Sequence, residues 1–388
     1  MGRQPDHFRS PLVDHFRAHG YRLRFGDTTI ALAAEFGFCY GVDRAVDLAF
    51  GARLRFPGRR IWITGEIIHN ARVNQRLHDL GVLLLPDSGP DREKRYGSIR
   101  PEDVVLIPAF GVAAAELTFL RSLGCDLIDT TCGSVLNVWK RVRQYARDGF
   151  TSVIHGKAEH EETAATCSQV READPEGKYL VVRDPGEAER IAAMIETGDT
   201  GSFFSGFARA FSPGFDPDRD LERIGLANQT TMLEMESREI EAIFRRAMEV
   251  RYGPEEGAER FRAFATICSA TEDRQRAVRD LIRDGVDRVL VVGGANSSNT
   301  GHLVKISSGS APTYHIESAD CILDRDSIRA KELGGPVRVM RDWLPEGPLI
   351  VGVTGGASTP DSLVGEVIAR VLRLRGETPP AEPSAGGE

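Results

Sequence analysis

Short runs rich in Val and Ile alternate along the chain with loops of small or polar residues, and then with stretches whose apolar positions recur at helical spacing. The segments RIWITGEIIHN (60–70), DVVLIPAFGV (103–112), TSVIHGKAEHEET (151–163) and RIGLANQTT (223–231) follow this pattern, and DRVLVVGGANSSN (287–299) and PLIVGVTGGASTP (348–360) repeat it. A strand feeding a loop and then an amphipathic helix, many times over, predicts βαβ units and parallel sheets covered by helices on both faces. Such folds collect their reactive groups at the carboxyl ends of the strands.

Three of these phrases place a cysteine where the strand gives way to the helix: FGFCYGVDRAVDLAF (36–50), LIDTTCGSVLNVWKRV (127–142) and FATICSATEDRQRAVRDLI (264–282). Cys39, Cys132 and Cys268 are 93 and 136 residues apart, each interval near a domain's worth of chain. The pattern predicts an α/β protein of three pseudo-equivalent lobes with parallel sheets, their strand ends facing a common centre. The lobes are expected at 31–131, 132–267 and 268–374, after an N-terminal extension at 1–30. The Gly- and Phe-containing stretch around 197–220 reads as an insertion in the second lobe, a surface loop or lid. Residues 375–388, polar and rich in Pro and Gly, have nothing to bury and are expected to be a disordered tail.

Composition narrows the function. Apolar residues at 41% and charged residues at 27% describe a globular protein, and no run approaches the roughly 18 apolar residues of a membrane span. The first residues are basic and His-rich but lack the apolar core of a secretory signal, and Asp6 and Asp14 count against a transit peptide, so a cytoplasmic location is expected. A formal charge of −8 and a pI near 5.7 argue against nucleic acid as a partner. An anionic small molecule would have to be held by local groups such as helix N-termini, Ser, Asn and His.

None of the six cysteines forms a C-x-x-C pair, which leaves zinc-ribbon and thioredoxin-like readings without support. A single buried cysteine is ordinarily a small apolar residue, and Cys125, Cys167 and Cys321 are read that way. Three thiols at helix starts are different, because the partial positive charge there favours the thiolate that metals bind. Three thiolates suit an iron-sulfur cluster better than structural zinc, which takes four protein ligands, and leave one iron open for chemistry.

Two Gly-Gly loops offer anion sites: VLVVGGANSSNTGHL, where Ser297, Ser298 and Asn299 open a helix, and VGVTGGASTPDSL, where Ser358 does so. Hydroxyl, amide and N–H groups there suit phosphate oxygens, and the same groups equally serve as N-caps. Neither the P-loop nor the dinucleotide fingerprint occurs. His69 and His160 follow strands and have either a structural role or a place at the same centre. Glu162 is either a first-turn carboxylate complementing the helix dipole or an acid for chemistry.

In order along the chain, GFCYGVDRAV, IIHN, IDTTC, HGKAEHEET, ANQTTM, TICSATEDRQ, VVGGANSSNT and VGVTGGASTPD resemble the motifs of the 4-hydroxy-3-methylbut-2-enyl diphosphate reductase family. The resemblance runs from about Gly20 to Arg373 and is closest to the longer branch known from oxygenic phototrophs. It implies a trefoil of lobes around one 4Fe-4S cluster held by Cys39, Cys132 and Cys268, with one iron open. It further implies reductive dehydroxylation of the allylic diphosphate to isopentenyl and dimethylallyl diphosphates, the last step of the methylerythritol phosphate pathway. His69, His160, Ser297, Ser298, Asn299 and Ser358 are implied diphosphate contacts. Glu162 is implied as the proton donor to the leaving hydroxyl, Thr230 as its orienting partner, and a ferredoxin or flavodoxin type protein as electron donor. In a closed site beside a diphosphate, desolvation and like charge favour the protonated form of Glu162. The chain departs from the family at Phe110, where the shorter branch has His, and at Gly133, where Pro is usual after the second cysteine. Two rivals are a non-catalytic iron-sulfur sensor of a phosphorylated metabolite, against which Glu162 argues, and a cluster-free α/β isomerase or aldolase acting on a sugar phosphate.

Overall fold

Fifteen strands in three sheets make up the β-structure of the described residues, which are 8–86, 96–206 and 210–380 of a computed structural model. In chain order they are β1 (Arg22–Phe25), β2 (Thr28–Leu32), β3 (Ile61–Ile63), β4 (Val82–Leu84), β5 (Val104–Ile107), β6 (Asp126–Asp129), β7 (Thr151–His155), β8 (Tyr179–Val182), β9 (Ile224–Asn228), β10 (Phe261–Ala263), β11 (Arg288–Val292), β12 (Thr313–Ile316), β13 (Ser327–Lys331), β14 (Val337–Arg341) and β15 (Leu349–Gly355). The chain divides into two compact units, one of residues 1–47, 68–76 and 269–388 and the other of 48–67 and 77–268.

The second unit holds two wholly parallel four-stranded sheets, ordered β4-β3-β5-β6 and β10-β9-β7-β8. Their central strands β5, β7 and β9 are buried at every position, as strands covered by helices on both faces are, with β5 wholly apolar and β7 and β9 also burying Thr151, Ser152, His155 and Asn228. The first unit holds one seven-stranded sheet ordered β1-β2-β15-β11-β12-β13-β14, parallel from β2 to β12 and antiparallel at both edges. Three α/β lobes built on parallel sheet thus match the expected class, with antiparallel strands added only in the sheet that joins both ends of the chain.

The N-terminal segment belongs to that sheet. The helix Pro11–Ala18 starts with Pro after the N-cap Ser10, whose hydroxyl accepts from the Val13 N–H. It buries Val13 and Phe16 in the unit's core, and Arg17 binds Asp361 at 2.5 and 3.1 Å. At the far end Arg375 donates to the Thr28 hydroxyl at 2.9 Å and to the carbonyls of Pro345 and Gly347. Residues 1–7 of the expected extension and 381–388 of the expected tail lie outside the described residues.

The Phe-containing stretch is anchored, not a bare surface loop. Phe211 forms an antiparallel bridge with Leu180, Val181 donates to the Ala210 carbonyl at 2.6 Å, and Ser212 donates to Tyr179 at 3.0 Å, so the stretch covers the open edge of β8. Phe203 and Phe215 are buried and stacked with ring centroids 5.1 Å apart. A lid would have to pull these rings out of the core, which costs about 1.5–3 kcal/mol for each buried aromatic. Residues 207–209 of the stretch lie outside the described residues. No described helix is long and apolar enough to cross a membrane.

Candidate active site

Cys39, Cys132 and Cys268 occupy the same place in three sheets. Each lies immediately before a helix, namely Tyr40–Arg55, Gly133–Arg147 and Ser269–Arg283. Each backbone N–H donates to a carbonyl two residues past the end of the neighbouring parallel strand: Cys39 to Ala357 beyond β15 at 3.2 Å, Cys132 to Ala109 beyond β5 at 2.9 Å, and Cys268 to Thr230 beyond β9 at 3.2 Å. The main chain therefore fixes each cysteine at a strand's carboxyl end without using its sulfur. All three are half-buried thiols outside any disulfide, each at the positive end of a helix. Soft donors of this kind are those that ligate iron-sulfur clusters.

The other cysteines are placed differently. Burial pushes the Cys167 thiol up to about 12 and also raises that of Cys125, so neither is disposed to become a thiolate.

The first unit holds the anion-binding candidates His69, Ser297, Ser298, Asn299 and Ser358, and the second holds His160. Ser297 caps the helix Ser298–Ser308, its hydroxyl accepting from the Thr300 N–H at 3.2 Å. Ser298 is buried with a hydroxyl that finds no partner among the described residues, an arrangement that costs about 1–3 kcal/mol unless a ligand relieves it. Asn299 joins the two Gly-Gly loops, accepting from the Ala357 N–H at 3.0 Å and donating to Thr271 at 3.4 Å. Ser358 donates to the His69 carbonyl at 3.2 Å. It does not open a helix as expected, because Pro360 is the N-cap of Asp361–Leu374 and ends the loop two residues later. Gly294 explains itself here, since a Cβ would lie 2.4 Å from the His69 oxygen; its close approach is to protein backbone.

The second unit gathers the acid. His160 caps the helix Glu161–Ala173, its Nδ1 accepting from the Glu162 N–H at 3.2 Å, which assigns the ring proton to Nε2. Glu162 is only 2% exposed and accepts from the Thr230 N–H at 2.6 Å and the Thr230 hydroxyl at 3.0 Å. Thr230 thus touches the acid with its N–H and hydroxyl, and Cys268 with its carbonyl. Phe110 packs edge-on against His160, with ring centroids 5.7 Å apart at 84°, so the departure from His supplies an aromatic wall that orients the imidazole.

Two supporting residues escape a reading based on thiols and oxygen donors. Gln229 accepts from the Lys157 N–H at 3.0 Å and the Thr163 hydroxyl at 3.1 Å, holding the loop that carries His160. Arg274 is buried and donates to the Gly37 carbonyl at 2.7 Å, two residues before Cys39. Both lie inside recognisable motifs, but an arginine on a helix reads as a solvated face.

Gly133 is the first residue of its helix, and Cys132 before it sits at φ −64°, ψ 139°, the extended backbone that precedes proline. A Cβ there meets nothing within 4 Å. Proline at this position is accordingly expected to stabilise the protein by about 0.4–1 kcal/mol through the unfolded state. Gly133→Pro should raise the melting temperature of anaerobic protein without changing its iron content.

These features define an α/β protein of three lobes with a cysteine thiol at a helix start after a strand of each sheet. A family model described as LytB protein matches residues 30–372, and the chain belongs to that family. It is 46% identical to the 4-hydroxy-3-methylbut-2-enyl diphosphate reductase of Thermosynechococcus vestitus, over 95% of this chain and 90% of that one. To the reductase of the same name from Acaryochloris marina it is 45% identical, over 95% and 89%. A solved structure of (E)-4-hydroxy-3-methyl-but-2-enyl diphosphate reductase, described as the terminal enzyme of the non-mevalonate pathway, matches with TM-score 0.52 and 29% identity over 89% of this chain and 99% of that one. The E-1-hydroxy-2-methyl-but-2-enyl-4-diphosphate reductase of Plasmodium falciparum shares the fold, with TM-score 0.62 and 17% identity over 90% of each chain.

Proposed function

We propose that this chain reduces 4-hydroxy-3-methylbut-2-enyl diphosphate to isopentenyl and dimethylallyl diphosphates, consuming two electrons and two protons and releasing the allylic hydroxyl as water. Thr230 carries this reading: one residue holds a buried carboxyl through its hydroxyl and N–H, and accepts the N–H of Cys268. Cys39, Cys132 and Cys268 would hold a 4Fe-4S cluster with one iron lacking a protein ligand. When bound, that cluster supplies the two electrons and Lewis-acid assistance to C–O cleavage. Glu162 delivers the proton to the leaving hydroxyl, and Thr230 keeps the carboxyl in place.

The diphosphate falls to Ser297, Ser298, Asn299, Ser358, His69 and His160. His160 offers Nε2–H because its Nδ1 is already an acceptor. Electrons come from a ferredoxin or flavodoxin type donor. A sensor of the same ligand has no use for a buried acid, which favours the reductase. The test is anaerobic single turnover with a reduced viologen dye, read as formation of the two product diphosphates, with iron and sulfide analysed on the same sample. Iron-free protein, or a cluster without product, would overturn the proposal.

The diphosphate assignment makes a separable prediction. Ser298→Ala is expected to weaken affinity for inorganic diphosphate by about 1.5–3 kcal/mol at no cost in stability, because its hydroxyl has no protein partner to lose. Asn299→Ala should weaken binding similarly and also destabilise by about 1–3 kcal/mol, since it strands the Ala357 N–H. Calorimetric binding and thermal melts of the two variants check both parts.

A further inference from the structure

The helix that begins directly after Cys132, Gly133–Arg147, carries Lys140, Arg141, Arg143 and Arg147 and no Asp or Glu, in a chain with a net charge of −8. Its buried face is Val135, Val138, Trp139, Val142, Tyr145 and Ala146. At about 100° per residue, Leu136, Lys140, Arg143 and Arg147 fall in one stripe away from that buried face, and Arg141 lies on a separate flank about 100° or more around the helix.

These charges are largely uncompensated. Arg143 donates to Gln169, whereas Lys140, Arg141 and Arg147 have no carboxylate partner among the described residues. Arginines elsewhere in the same unit are matched, Arg245 with Glu241, Arg246 with Glu189 and Arg260 with Glu256. Asp148, at the end of the helix, is already taken by Arg262.

Apolar side chains are exposed on both of these flanks. Leu136 is 45% exposed and Phe264 39% exposed, and the Arg141 guanidinium lies 4.0 Å from the Phe264 ring centroid. Leu136 donates its N–H to the Cys132 carbonyl at 3.0 Å, and Phe264 precedes Cys268 by four residues. Leu136, one turn from Lys140, and Phe264, under Arg141, are therefore exposed apolar groups close in sequence to Cys132 and Cys268, two of the three proposed ligands. The other helices that follow these cysteines lack this character, since Tyr40–Arg55 contains Asp43 and Asp47 and Ser269–Arg283 contains Glu272, Asp273 and Asp280.

We propose that this face docks a small acidic electron-carrier protein, which delivers its electrons one at a time by way of the Cys132 and Cys268 end of the lobe. The inference rests on the reductase reading and on those two cysteines as ligands. Charge complementarity steers such short-lived encounters and sets their orientation, and a small, mainly cationic contact suits a complex that must separate after each electron.

The test compares turnover of the holoenzyme driven by reduced acidic [2Fe-2S] ferredoxin with turnover driven by a reduced viologen dye, across a range of salt. Lys140→Glu with Arg147→Glu should lower the ratio of ferredoxin-driven to dye-driven rate about 10-fold or more at low salt and flatten its salt dependence. The ratio is insensitive to a general loss of folded enzyme, and the milder pair Lys140→Gln with Arg147→Gln should move it in the same direction by less. An unchanged ratio with the parent salt dependence in both double variants overturns the docking face. Dye-driven turnover of the parent enzyme with no ferredoxin-driven turnover overturns the partner while leaving the reductase in place. Failure with both reductants removes the reductase reading, and this proposal with it.

Discussion

Serine in place of Cys39, Cys132 or Cys268 is expected to strip most of the iron and sulfide from anaerobically prepared protein, together with its broad visible absorbance. An alcohol is a harder and far less acidic donor than a thiol, so the substitution removes an iron ligand while barely changing volume. The backbone should not notice. Each cysteine is positioned by its N–H, to Ala357, Ala109 or Thr230, and serine keeps that bond. Far-ultraviolet dichroism of the three variants should therefore match the parent. Because the three positions repeat one arrangement, the losses should be similar in size, and serine at Cys125 or Cys321 should leave the iron in place. Full cluster occupancy in any of the first three variants would remove that cysteine from the ligand set.

The cysteine junctions were legible because they are local: an apolar run, a cysteine and an amphipathic helix lie within about fifteen residues of one another. Ser297 as N-cap and Glu162 in a first helical turn were legible for the same reason. The acceptors of the cysteine N–H groups were not, because Ala357 is 318 residues from Cys39 and only strand pairing brings them together. The pairing of β2 with β15 is of that kind too, and it draws the N-terminal segment into the sheet that carries both Gly-Gly loops. Phe203 and Phe215 misled in the opposite direction, since Gly and Ser around them suggest a surface loop whereas their rings fill the core beside β8. Arg274 was missed because helical periodicity cannot distinguish an arginine that hydrogen-bonds a distant carbonyl from one that faces water.

Glu162→Gln is expected to keep the cluster and the substrate affinity yet lose about 100-fold or more in turnover, the range of general acid catalysis and about 2.7 kcal/mol of barrier. Cleaving the allylic C–O bond expels hydroxide unless a proton reaches the oxygen, so the reaction needs an acid within hydrogen-bond reach. Glutamine suits the test because of how Glu162 is held. Its carboxyl accepts the Thr230 N–H at 2.6 Å, which a glutamine carbonyl can still do. The second oxygen now accepts the Thr230 hydroxyl at 3.0 Å, and with an amide NH2 in its place the hydroxyl can turn to accept instead of donate. Both contacts with Thr230 can therefore be kept, so the fold should hold, and what disappears is the transferable proton. Thr230→Val should act more weakly, about 10-fold, because it loosens the acid without removing it. Single-turnover rates on samples matched for iron decide the point. If Glu162→Gln turns over at a near-parent rate, the proton comes from water or from the diphosphate itself, and Glu162 is a structural partner of Thr230; if it stalls while Thr230→Val merely slows, the carboxyl is the acid and the threonine its support.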